Sequence, residues 1–347
     1  MSSKDTTISL ALQGGGAHGA FTWGVLDRLL EEEGISVAAI SGTSAGAMNA
    51  AALKSGWLDG GREGARASLD WLWQQLGALQ DTPATRWMMS FAPSAAMIGQ
   101  AYALNPAVAM AEAAMRFASP YASGPLYSNP LRAVAEKFEF SKVCASDGPQ
   151  LFIGATNVRS GKAKVFAGDE ISADAILASA CLPTMFQAVE IDDPVTGTRE
   201  AYWDGGYTGN PPLFPLFKPD LPDDLVIVNI NPLRREDIPR SPGEIHNRIN
   251  EISFNSSLLR ELRAMAFVHR LIDQGTLPRG AMKDMRVHMI SDDALMTSLS
   301  VATKLSPGPV FLERLKQAGR VAAEAFLRAH GDDLGQRGSV DLAQLYG

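Results

Sequence analysis

Cysteine and positive charge are scarce in this chain, and it begins without an export signal. Only Cys144 and Cys181 occur among 347 residues, which excludes a disulfide scaffold and favours a reducing compartment. The formal net charge of −7 argues against general nucleic-acid binding, because such binding requires a basic surface. The first residues lead directly into an apolar run, without the successive regions of a signal peptide. We therefore expect a cytoplasmic protein that does not bind nucleic acid.

Metal-binding motifs are also missing. The sequence contains neither H-E-x-x-H nor paired cysteines at ligand spacing, which are the patterns typical of zinc sites. Among its histidines, His246 and His269 fall in predicted helices, His288 in a predicted strand and His330 at a helix end. We interpret these histidines as structural, and we expect neither a metal nor another cofactor.

The first sixty residues alternate short apolar runs with helical patterns. A strand at 8–12, a glycine turn and a helix are followed by a second strand at 36–40, a serine turn and a second helix. This alternation predicts an α/β layer with a mostly parallel sheet. Further strands are predicted from runs rich in Val, Ile and Phe, at 151–158, 163–167, 225–230 and 286–290.

Two regions differ from this pattern. Residues 82–118 form a predicted helical insert, and no charged residue occurs at 87–111. That length could span a membrane, but Pro93 and Pro106 interrupt it; core helices and a lid or membrane-facing surface both remain open. Beyond a proline-rich linker, amphipathic patterns at 244–272 and 309–330 predict that residues 236–347 form a mainly helical extension packed on the preceding domain.

A serine lies between glycines where the second strand meets its helix. Gly42-Thr43-Ser44-Ala45-Gly46 matches G-x-S-x-G, the nucleophile elbow in which a serine occupies a sharp turn between strand and helix. An ordinary small-residue turn is the alternative. If Ser44 is a nucleophile, it needs a proton acceptor and donors for the oxyanion.

Two more glycine-framed sites could meet those needs. Gly14-Gly15-Gly16 follows the first strand and opens a helix, where backbone N–H groups are free to stabilise an oxyanion. A phosphate loop is the alternative, but the Lys-Ser/Thr of a P-loop and the dinucleotide G-x-G-x-x-G spacing are both missing. Asp204 ends an aromatic strand and precedes Gly205 and Gly206, so its carboxylate is the candidate base.

These three sites, in this order, resemble the patatin-like phospholipase family. The stretches 126-LYSNPLRAVAEKF-138 and 176-ILASACLPTMFQAVEI-191 agree with it, and the resemblance covers roughly residues 6–232. It implies a three-layer α/β/α sandwich, Ser44 as the nucleophile, Asp204 as its partner in a Ser-Asp dyad, and Gly14 to Gly16 as the oxyanion hole. One departure is His18, since the family's glycine loop often carries Arg there.

The resemblance implies a metal-independent hydrolase of lipid carboxylic esters that forms an acyl-serine. An acyltransferase, or an intracellular polyester or thioester hydrolase, could use the same dyad. A non-catalytic lipid-binding protein is the third alternative. The expected partner is a lipid or acyl-ester substrate, with peripheral membrane contact through 87–111, and the sequence makes no prediction about oligomeric state.

Overall fold

The computed structural model describes residues 5–79, 94–95, 97–98, 119–194, 196–240, 242–299, 301–305 and 308–346. The predicted helical insert at 82–118, with its uncharged stretch at 87–111, lies almost entirely outside these residues. None of the described helices has both the length and the apolar character needed to cross a bilayer.

The described residues form one mixed sheet of eight strands. The strands are β1 (Thr6–Leu12), β2 (Ile35–Thr43), β3 (Gln150–Asn157), β4 (Ala163–Ala167), β5 (Val189–Asp193), β6 (Thr198–Asp204), β7 (Asp224–Asn229) and β8 (Arg286–Ser291). Their order is β5-β6-β3-β2-β1-β7-β8, and β4 also pairs with β3. The five strands from β3 to β8 along this order are parallel, whereas β4, β5 and β6 join antiparallel. The four later strands predicted from apolar runs are confirmed.

Helices flank the sheet. They are α1 (Gly19–Leu29), α2 (Ala45–Ala78), α3 (Arg132–Ala135), α4 (Phe140–Val143), α5 (Ala173–Ser179), α6 (Pro242–Asp273), α7 (Asp293–Ser298), α8 (Val301–Lys304), α9 (Pro309–His330) and α10 (Leu342–Tyr346). Helix α2 contains a kink at Gly60 and Gly61, where Gly61 has φ of +59°. The two predicted amphipathic helices correspond to α6 and α9, so both predictions are confirmed.

Both faces of the central strands are buried, because alternate side chains point to opposite sides of a strand. In β1, Leu10 and Leu12 belong to the core that contains residues of α1, α2 and α9, whereas Ala11 belongs to the core that contains Leu258 and Leu262 of α6. The expected three-layer α/β/α sandwich is therefore confirmed. The region after residue 235 supplies α6, which covers one face, and β8, which extends the sheet.

The carboxyl end of β2 and the end of β6 meet beside β3. Strand β2 pairs with β3 as far as Thr43, which lies opposite Gly154. Strand β6 pairs with the next residues of β3, and its last residue, Asp204, lies opposite Ala155. Because β4 occupies the other edge of β3 along this stretch, β2 and β6 share one edge and run toward each other. The residue after Thr43 is thereby placed beside Asp204.

Candidate active site

Ser44 occupies a strained turn between β2 and α2. Its φ of +55° is the only positive value at a non-glycine residue in the described chain, and such backbone persists only where its surroundings hold it. The Ser44 N–H donates to Ser179 Oγ at 2.8 Å. Ser179 Oγ in turn donates to the carbonyl oxygen of Gly154 at 2.6 Å. Helix α5 and strand β3 therefore hold the elbow in place.

Close backbone packing explains the glycines that flank Ser44. A β-carbon at Gly42 would lie 2.6 Å from the carbonyl oxygen of Gly46, and one at Gly46 would overlap the carbonyl oxygen of Leu12. Side-chain-free residues at both positions let the first turn of α2 approach the ends of β1 and β2.

Asp204 is the side chain that faces the Ser44 hydroxyl. Its carboxylate accepts a hydrogen bond of 2.7 Å from the Gly206 N–H, and the Ser44 side chain lies close enough to lower its pKa. The residue is only 2% exposed, and this burial raises the pKa of Asp204 to about 7, although Gly206 and Ser44 oppose the shift. A β-carbon at Gly205 would overlap the carbonyl oxygen of Gly154, so the turn after Asp204 also requires glycine.

The described histidines have other partners. His18 Nε2 lies 2.8 Å from Thr303 Oγ1, His288 lies 3.2 Å from Asp224, and the ion-pair partners of His269 and His330 are Asp284 and Asp333. The side chain of His246 lies outside the described residues. Among the described residues, the groups that shift the pKa of Asp204 are Ser44 and Gly206, and no histidine is one of them.

The glycine loop lies directly against Ser44. A β-carbon at Gly14 would lie 2.7 Å from Ser44 Cβ, so all three sequence-predicted sites meet at one point. The Gly14 N–H donates to Asn210 Oδ1 at 2.7 Å, so in this structure it is engaged within the protein, and its role as an oxyanion donor stays a prediction. In the described part of the chain the N–H groups of Gly15 and Gly16 find no acceptor, so both stay available to a ligand.

Gly15 and Gly16 differ in how strictly they require glycine. Gly16 has φ of +59°, and a β-carbon there would overlap the carbonyl oxygen of Lys304. Gly15 has φ of 173°, which any residue adopts, and its β-carbon would make its closest contact with the terminal methyl of the Ile230 side chain, at 2.8 Å, rather than with backbone. The loop thus has an absolute need for glycine at Gly16 but not at Gly15.

His18 contacts the C-terminal region through Thr303 and Phe311. Its side chain is buried against Thr303 of α8, and this burial together with Lys304 lowers the pKa of His18 well below its usual value. A neutral imidazole cannot replace the positive charge of the arginine that the family often carries at this place.

Three supporting residues escaped the sequence analysis. Ser179 holds the elbow N–H, Asn210 accepts from Gly14, and Asn231 Nδ2 donates to the carbonyl oxygen of Gly14 at 2.8 Å. Asn210 lies six residues after Asp204, shortly beyond Gly205 and Gly206, so its closeness to a predicted site residue could have marked it as a candidate. Ser179 and Asn231 carry no local signal, because an isolated polar residue near a strand or helix end is common.

The arrangement can support acyl transfer. A hydroxyl, a buried carboxylate of raised pKa and two unengaged N–H groups are brought together from three separate turns, and these are the groups that activate a nucleophile and stabilise an oxyanion. In the described ranges, no three His, Cys, Asp or Glu side chains are grouped as metal ligands.

Comparison with known proteins identifies the family. The model of the patatin-like phospholipase family matches residues 10–217, more than half of the chain. VipD from Legionella pneumophila aligns with 16% identity and a TM-score of 0.42, over 94% of this chain and 67% of its own. No curated protein matches the sequence. On the strength of the family match, the chain belongs to the patatin-like phospholipases, which are lipid acyl hydrolases.

Proposed function

We propose that this protein hydrolyses lipid carboxylic esters, as a phospholipase A, lysophospholipase or lipase, through a Ser44–Asp204 dyad. The observation that carries the proposal is that Ser44, in its strained turn, lies beside the buried Asp204 carboxylate and lowers its pKa. A carboxylate with a pKa of about 7 is basic enough to accept a proton near neutral pH and acidic enough to return it.

The first half of the reaction forms an acyl-serine. Asp204 takes the hydroxyl proton as Ser44 Oγ attacks the ester carbonyl carbon, and the carbonyl oxygen becomes an oxyanion. The N–H groups of Gly15 and Gly16 donate to that oxyanion. When the intermediate collapses, the bond to the alcohol breaks and the leaving alkoxide takes the proton from Asp204.

The second half regenerates the enzyme. Asp204 accepts a proton from water, whose oxygen attacks the acyl-serine carbonyl. The second tetrahedral intermediate then releases the carboxylic acid, and the proton on Asp204 returns to Ser44 Oγ. One water is consumed, and no group beyond the dyad and the loop is required to balance the steps.

The test is labelling by a fluorophosphonate probe together with hydrolysis of p-nitrophenyl esters of increasing chain length. We expect Ser44→Ala to lose both signals while its circular dichroism spectrum is unchanged. Ser41→Ala is the matched control, since Ser41 lies on the same strand and its hydroxyl donates to Pro212 instead. Near wild-type turnover by Ser44→Ala would exclude the dyad, and ester formation with an added alcohol in place of hydrolysis would indicate an acyltransferase.

A further inference from the structure

The side-chain amide of Asn231 connects Lys304 to the glycine loop, because its nitrogen donates to the loop and its oxygen accepts from Lys304. Its Nδ2 donates to the Gly14 carbonyl oxygen at 2.8 Å and to Gln13 Oε1 at 3.1 Å. Its Oδ1 accepts from Lys304 Nζ at 3.0 Å. An ammonium group donates and cannot accept, so Lys304 determines which end of the amide faces the loop.

The orientation of the Gly14 carbonyl matters because it shares a peptide plane with the next N–H. The peptide unit is planar and trans, so the Gly14 C=O and the Gly15 N–H point in opposite directions. Fixing the carbonyl on Asn231 therefore also fixes the direction of the Gly15 N–H, one of the two proposed oxyanion donors.

Lys304 belongs to a segment that contacts the glycine loop at more than one point. Its carbonyl oxygen lies where a β-carbon of Gly16 would be, and its neighbour Thr303 bonds His18. Burial lowers the pKa of Lys304, while the carboxylate of Glu251 opposes that shift by stabilising the ammonium form. Both Asn231 and Lys304 lie beyond residues 10–217, the range of the family match.

We infer that Lys304 is a positioning residue for the oxyanion loop and acts through the amide of Asn231. The inference rests on the proposed function. Without the ammonium, Asn231 Oδ1 loses its donor, and only the bonds from Nδ2 to Gly14 and Gln13 oppose rotation of the amide. The rotated amide would place an oxygen against the Gly14 carbonyl oxygen, and the repulsion would displace the Gly15 N–H.

The experiment measures kcat and KM on one p-nitrophenyl ester for Lys304→Met, which keeps an unbranched side chain of nearly the same length but removes its donors. Loss of an oxyanion donor typically lowers kcat about a hundred- to a thousand-fold, and we expect a decrease toward that range with KM nearly unchanged. Lys304→Arg should restore much of the rate, since it also donates. Lys316→Met is the control, because Lys316 of α9 instead pairs with Asp70.

A double-mutant cycle separates this role from a general structural one. If Lys304 acts through Asn231, the double variant Lys304→Met with Asn231→Leu should be no slower than Asn231→Leu alone. Multiplicative losses of kcat in the double variant, or an unchanged kcat in Lys304→Met, would overturn the inference.

A second variant covers the case in which Lys304→Met does not fold. Asn231→Asp keeps the contact with Lys304 but cannot donate to Gly14, and full activity of this variant would also overturn the inference. An inactive wild-type protein would instead refute the proposed function.

An independent observation concerns the outer face of α6. One face with helical spacing carries exposed apolar side chains before Ser256 and mostly arginines after it: Ile245, Ile249, Ile252, Arg260, Arg263, Phe267 and Arg270. Ile249 and Ile252 are more than half exposed, at 58% and 55%. Within the described residues these three arginines form no ion pair, although the whole chain is acidic.

This face begins beside the candidate active site. Asn255 of α6 bonds Gln13 and Asn231, which lie just past the carboxyl ends of β1 and β7. At about 1.5 Å per residue, Ile252 and Ile249 extend beyond that edge of the sheet, where Ser44 also lies. Apolar side chains flanked by arginines are typical of helices that bind anionic lipid surfaces.

We infer that this face of α6 docks on an anionic phospholipid surface. Ser44→Ala protein should sediment with vesicles of phosphatidylcholine and phosphatidylglycerol more strongly than with phosphatidylcholine alone, and added salt should weaken the binding. Adding Ile249→Asp and Ile252→Asp should abolish it, whereas Val321→Asp, on an exposed site of α9, should not. Equal binding by both variants, or a wild-type dimer that the Ile249→Asp and Ile252→Asp changes dissociate, would overturn the inference. Turnover of a soluble ester, with Ser44 intact, should be unaffected and reports separately on the proposed function.

Discussion

Replacing Asp204 by Asn should remove activity and yet stabilise the protein, and the gain should increase with pH. Asn keeps the shape of the side chain, its Oδ1 can still accept from Gly206, and its Nδ2 can donate to Ser44. Its amide carries no charge that burial would penalise. The wild-type carboxylate is buried without a cationic partner among the groups that shift its pKa, so the folded state pays for its ionisation.

The magnitude follows from the pKa of Asp204, which is about 7 in the folded protein against an ordinary value of 3.8. A raised folded pKa means that the folded state binds the proton more tightly, so stability is greatest below pH 3.8 and is lost as pH rises toward 7. Linkage over this interval amounts to roughly 2 kcal/mol by pH 5 and on the order of 4 kcal/mol by pH 8. Asp204→Asn should recover those amounts.

The assay is urea unfolding of wild-type and Asp204→Asn protein at several values between pH 5 and pH 8. The difference in unfolding free energy should widen with pH and level off above pH 7. Ser44→Ala is the control for loss of the Ser44 hydroxyl alone, and it should retain the wild-type pH dependence because it keeps the buried carboxylate. A difference of constant size across this range would refute the reasoning that burial raises the pKa of Asp204.

Three further predictions concern catalysis. If Asp204 is the base, kcat/KM should fall about tenfold per pH unit below a midpoint near pH 7, and a midpoint near pH 4 would contradict that role. Gly16→Ala should lower kcat at least a hundredfold, by roughly 3 kcal/mol, whereas Gly15→Ala should keep most of it; equal losses in the two folded variants would show that both positions need glycine. Activity should persist in EDTA, because the dyad and loop supply every proposed step, and restoration of a lost rate by calcium or zinc would disprove this.

Local features of the sequence were sufficient to predict the parts of the site. Ser44, Asp204 and the glycine loop each lie where a strand ends and glycines allow close backbone approach, and those requirements are visible over a few residues. Apolar runs and helical periodicity likewise predicted β7, β8, α6 and α9, since burial on one or both faces leaves a regular pattern.

The contacts that assemble the site were not visible in the sequence. Asn231 and Lys304 reach the glycine loop from more than two hundred residues away, and nothing in the local pattern distinguishes them from other polar residues. The sequence also does not show that β6 pairs with β3 just past the end of β2. That pairing depends on which edge of β3 is left open by β4, a strand from another part of the chain. The sequence by itself therefore determined the chemical groups and their turns. Tertiary structure decided that Asp204 meets Ser44 and that its pKa rises, because burial depends on everything packed around the carboxylate.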